Sequence, residues 1–137
     1  MKYLIFFCLL FGNFNFYAQN HNSAEVTAPK IVCPVELGEA AGFGDKSVKF
    51  VKVISDSRCP TGATCIWQGE AKVLVEVYEG NELAEKREIT ISNPAQLVPL
   101  FELKNNSVQI DGLDPYPHKD TPASERKYIL NLILTEL

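Results

Sequence analysis

The chain has 137 residues, a formal net charge of −4 and 46% hydrophobic residues, enough for one modest domain and no more. Lysines and acids are interspersed, with no basic stripe and no aromatic-basic interleaving of the kind that grips phosphates, so nucleic acid is not an expected partner. Mild acidity serves solubility.

The chain opens as an export signal. Lys2 supplies the positive start, Tyr3 to Phe11 the apolar run, and Asn13 and Asn15 the polar approach to Ala18, which predicts a signal peptide over 1–18. The run is too short to span a bilayer. Cys8 lies inside it and Cys33 far beyond it, so neither stands where a lipid-anchor cysteine belongs. An exported protein, periplasmic or extracellular, with no transmembrane segment in the mature chain is therefore expected. Residues 19–29 are polar and patternless and read as a flexible leader, which leaves 30–137 as a single β-domain.

From Lys30 the dominant period is two, with turn residues about every ten positions, the rhythm of antiparallel sheets. Ile31, Cys33, Val35 and Leu37 alternate with other residues until "AGFGD" at 41–45 supplies a turn. In Val48, Phe50, Val51, Val53 and Ile54 the parity flips between Phe50 and Val51, which predicts a bulge or burial on both faces. The clearest strand runs from Ala71 to Val77, with Ala71, Val73, Val75 and Val77 on one face, and "EGNE" at 79–82 follows as a hairpin turn. The return strand carries Ile89 and Ile91, while the composition of Asn81 to Arg87 also suits a short helix. Leu97 to Leu103 suits an edge strand because Pro99 lacks a backbone donor. After a turn at Asn105 and Asn106 come Val108 and Ile110, then "YILNLILTEL" at 128–137, apolar on nearly both faces and so central. About seven strands without a long helix predict an all-β antiparallel sandwich or a small closed barrel.

Two connections are longer than a sheet needs, Asp56 to Gly69 and Asp114 to Arg126, and such loops carry function. In an oxidising compartment Cys59 and Cys65 form the natural disulfide of the first. Cys33, in apolar "KIVCPVEL", reads as a buried thiol, with a reactive or intermolecular thiol as the alternative. Zinc would need Cys33, Cys59, Cys65 and His118, but the gap between Cys59 and Cys65 is too long and export favours oxidation, so neither metal nor cofactor is expected. His118 has no nucleophile motif to serve, which makes a hydrolase the least favoured reading. Asp56 and Glu70 flank the cysteine loop, and Arg58 between two carboxylates reads as a charge clamp bracing it rather than a proton-transfer pair. Asp111, Asp114 and Asp120 are spaced too irregularly for a calcium loop and read as turn caps. Trp67 either packs on the disulfide as part of the core or offers a flat face to a partner. Tyr116, between Pro115 and Pro117, is the stronger candidate for exposure, since the prolines pre-set its backbone.

"DSRCP" followed by "CIWQGEA", a strand, a later "DPYP" and a terminal apolar strand resemble a family of small exported or lipid-anchored bacterial β-domain proteins, most without an assigned activity. The resemblance is carried by Asp56, Arg58, Cys59, Pro60, Cys65, Trp67, Gly69 and Glu70, and the chain departs from it in lacking the anchor cysteine. More distantly, its size and disulfide-pinned β architecture are similar to those of secreted bacterial peptidase inhibitors. The expectation is a non-catalytic, monomeric, exported β-domain that binds a protein, with a secreted peptidase the sharpest version. Its binding residues would be Arg58, Pro60, Trp67, Tyr116 and His118. A small-ligand-binding or envelope-structural module is the alternative.

Overall fold

The computed structural model describes residues 30–92 and 96–137; the expected signal peptide and leader lie outside them. The period-two segments become eight strands: β1 (Ile31–Glu36), β2 (Ala40–Phe43), β3 (Lys46–Asp56), β4 (Glu70–Glu79), β5 (Glu82–Ser92), β6 (Val98–Glu102), β7 (Asn106–Asp114) and β8 (Ile129–Glu136). They form two antiparallel four-stranded sheets, ordered β1-β8-β7-β6 and β2-β3-β4-β5. The sheets pack on one another as a β-sandwich, so of the two architectures expected the closed barrel is set aside. The strand missing from the sequence reading is β2. Its Ala-Ala-Gly-Phe has little strand propensity of its own and is held by pairing with β3, Ala40 opposite Lys49 and Phe43 opposite Lys46.

Alternation places Val48, Phe50, Val73 and Val75 of one sheet and Val108, Ile110, Leu130 and Leu132 of the other fully inside a common core. Burying each such side chain contributes about 1.5–3 kcal/mol relative to leaving it exposed. The parity flip in β3 is a bulge: Phe50 opposes Val75 and Lys52 opposes Leu74, which leaves Val51 as the extra residue. Glu79 and Glu82 close the β4–β5 hairpin, and Glu85 to Glu88 pair in register with β4, so cross-strand bonding overrides the helical composition of Asn81 to Arg87.

β6, with Pro99, is an edge strand, and Arg87 of the other sheet caps it by donating from Nη1 to the Leu100 carbonyl at 2.9 Å. β8 runs between β1 and β7, the central place its apolar sequence predicts. Cys33 is a free, half-buried thiol packed against the core. No helix among the described residues is long and apolar enough to cross a membrane.

Candidate functional site

The two long connections come from opposite sheets and meet. The first, 57–69, leaves β3 at Asp56, and the second, 115–128, leaves β7 at Asp114 and holds one short 3-10 turn, Ala123–Glu125. Ser57 closes the base of the first by donating from N and Oγ to the Glu70 carbonyl at 2.8 and 2.9 Å. Cys59 N donates to the Gln68 carbonyl at 2.8 Å, and Cys59 and Cys65 are joined as the expected disulfide. Gly69 is buried at this base with φ +72°, and a Cβ there would overlap the Ser57 carbonyl oxygen. Only glycine accepts both that conformation and that approach.

Beneath the loops lies a buried ionic cluster. The side chains of Asp56 and Arg58 are each 4% exposed, and they pair in fork geometry, Nε to Oδ1 at 2.8 Å and Nη2 to Oδ2 at 2.9 Å. The same guanidinium crosses to the opposite sheet, donating from Nη1 to Leu113 O at the end of β7 at 2.6 Å and from Nη2 to Pro115 O at the start of the second loop at 3.1 Å. Asp56 Oδ2 also accepts from Tyr128 Oη at 3.1 Å and from Arg126 Nη1 at 3.4 Å. One carboxylate thus ties the end of β3 to the start and the end of the 115–128 loop. Above it the loops bond directly: Tyr116 Oη donates to Cys59 O at 3.0 Å with its ring 5.1 Å from the Arg58 guanidinium carbon, and Thr61 N donates to Pro117 O at 2.9 Å.

This geometry revises the expected roles. Arg58, read as a contact residue, is 5% exposed and lies under the loops, because its guanidinium makes four hydrogen bonds, two to Asp56 and one each to the Leu113 and Pro115 carbonyls. The clamp is the inverse of the one expected: a single carboxylate between two guanidiniums. Glu70 contributes its backbone to the loop base, while its carboxylate pairs with Lys72 at 3.3 Å on the surface and does not reach Arg58. Trp67 is 63% exposed, so it does not pack into the core, and its neighbour Ile66 is fully exposed. Tyr116, at 37%, is less exposed than Trp67 because its hydroxyl and ring are held by the first loop. Pro60 is half-buried and His118 exposed, beside Asp120 at 3.5 Å. Asp111, Asp114 and Asp120 pair with Lys30, Asn131 and His118 rather than capping turns. Arg126 and Tyr128 were not singled out from the sequence; no local spacing links them to an aspartate 70 and 72 residues earlier.

Burial alone would raise the pKa of Asp56, but the hydrogen bonds and charge of Arg58, helped by the Tyr128 hydroxyl, outweigh it and hold the carboxyl below its ordinary value. The unfolded chain then binds the proton more tightly, so this contribution to stability is full above the ordinary aspartate pKa, about 3.9, and is lost as pH falls through the lower folded value. The urea midpoint is expected to drop as pH is lowered below about 5. Asp56→Asn should flatten part of that drop, and an unchanged acid profile in that variant would assign the drop to other carboxylates.

With both oxygens engaged and almost no exposure, Asp56 is built to hold geometry rather than to exchange protons with a substrate. Among the described residues no group of three His, Cys, Asp or Glu side chains is placed to hold a metal ion. No protein-family model, curated protein or solved structure matches this chain.

Proposed function

We propose that this chain is a non-catalytic exported β-sandwich that binds another protein through the face its two long loops build together. One observation carries the reading: Ile66 and Trp67 stand 107% and 63% exposed on a loop pinned by a disulfide and fastened to the second loop from beneath. Large apolar side chains on a free surface cost solubility unless something covers them, and an aromatic held on a rigid loop loses little entropy when it docks. Pro60 lies in the disulfide ring of the same loop, and Tyr116 and His118 join that ring from the second loop at Cys59 and Thr61. Export is supported by the disulfide, which persists in oxidising compartments. Peptidase inhibition is the sharpest form of this function, by occlusion of a cleft with a pre-organised loop.

The test is a double substitution on the surface, Ile66→Ser with Trp67→Ala, compared with the unaltered protein as bait for the secreted fraction of its source cells and in inhibition assays against a panel of secreted peptidases. Loss of Trp67 is expected to weaken a captured complex about thirtyfold, or roughly 2 kcal/mol, while the melting temperature stays the same. Equal capture by both proteins would remove Ile66 and Trp67 from the binding surface. Capture that depends on Trp67 without inhibition of any peptidase would keep the binding role and discard the inhibitor.

A further inference from the structure

The disulfide and the ion pair hold different parts of the loop face. Arg58 lies outside the Cys59–Cys65 ring, and its guanidinium reaches the end of β7 at Leu113 and the start of the second loop at Pro115. Contacts further along that loop end inside the ring: Thr61 N donates to Pro117 O at 2.9 Å and Thr61 O accepts from Lys119 N at 3.2 Å, a short parallel bridge centred on Thr61 and His118. Gly62, in the ring with φ +86°, lies so close to the Lys119 side chain that a Cβ would stand 3.1 Å from its Cδ. Cys59 is half-buried and Cys65 exposed, so Cys65 is the half of the bond that faces solvent.

We infer that the Cys59–Cys65 bond is a redox latch on the Pro117–Lys119 segment rather than a staple of the fold. A dithiol reductant would open it in two steps. Its first thiolate attacks Cys65 Sγ, forming a mixed disulfide and expelling Cys59 as a thiolate that takes up a proton. Its second thiolate then resolves the mixed disulfide, leaving both cysteines as thiols and the reductant as a disulfide, with two electrons and two protons transferred. Ring closure is what limits the freedom of residues 60–64. Once it is lost, two backbone bonds, one ending on the buried Pro117 and one coming from the exposed Lys119, do not outweigh the entropy of keeping the exposed Thr61 ordered against the second loop. The base survives, because Cys59 N to Gln68 O, Ser57 to Glu70 and the Asp56–Arg58 pair do not depend on the sulfurs. The latch therefore changes how His118 and Lys119, the exposed residues of that segment, are presented while the sandwich stays folded, whatever the face binds.

The experiment is amide hydrogen exchange on the full chain before and after treatment with dithiothreitol, with reduction verified by mass. Exchange at Thr61 and Lys119 is expected to speed up at least tenfold, while Val73 and Leu132 in the sheets stay protected. Cys59→Ser with Cys65→Ser should reproduce the reduced pattern without reductant, and Cys33→Ser should leave the response intact. Unchanged exchange at Thr61 and Lys119 in the reduced protein would overturn the latch. So would loss of protection at Val73 and Leu132, which would make the disulfide a staple of the whole domain.

Discussion

Asp56→Ala is expected to lower the unfolding free energy by about 3–5 kcal/mol, a large share of the stability of a domain this size. The reason is what stays behind. Arg58 is 5% exposed and its side chain cannot turn to solvent without abandoning Leu113 and Pro115, so removing the carboxylate leaves a buried guanidinium without its counter-charge. Arg126 adds a second, 10% exposed at its side chain, whose Nε is buried without a hydrogen-bond partner. Its single 3.4 Å contact to Asp56 is longer than the two that Arg58 makes. Arg126→Met should accordingly cost less than Arg58→Met, both read from urea unfolding at neutral pH. If Asp56→Ala costs under about 1 kcal/mol, the pair behaves like an exposed salt bridge and the clamp is not what holds the loops.

Gly69→Ala is expected to cost about 3 kcal/mol although it adds one methyl group. A left-handed backbone at a non-glycine residue accounts for roughly 1–2 kcal/mol, and forcing the methyl against a backbone atom adds roughly 1–3. That atom is the Ser57 carbonyl oxygen, part of the loop base and unable to swing away as a side-chain tip could. Gly62→Ala is the control: its φ is also positive, at +86°, but its neighbour is the flexible Lys119 side chain, so about 1 kcal/mol is expected there. Equal costs at the two positions, measured by thermal or urea unfolding, would show that conformation alone and not the close approach sets the penalty.

Local pattern made most of the sandwich legible. Alternation from Ala71 to Val77, the flip between Phe50 and Val51, the turn at 79–82, Pro99 on an edge and the apolar run at 128–137 each dictate a backbone state through residues no more than a few positions apart. β2 escaped because Ala40 to Phe43 carry almost no signal without β3 to pair with. The site was half legible for the same reason. Cys59, Cys65 and the Asp56–Arg58 partnership are neighbours in sequence, so their association could be read directly. Which way Arg58 faces could not, because its other acceptors, the carbonyls of Leu113 and Pro115, are 55 and 57 residues away on the opposite sheet. Taken without those carbonyls, an arginine in a polar loop reads as a surface cation. Trp67 was open between two readings: an indole next to a disulfide suits a core as well as a partner surface, and the packed sandwich shows that the core is complete without it.

The central claim is that a buried ion pair makes two loops from opposite sheets into one body. Its most direct test is a double-mutant cycle on Asp56→Ala and Arg58→Met, followed by urea unfolding at neutral pH. The account predicts strong non-additivity, a coupling of about 2–3 kcal/mol, with the double variant more stable than the sum of the single losses implies because it no longer buries a lone charge. Additive losses, with coupling within about 0.5 kcal/mol, would contradict it.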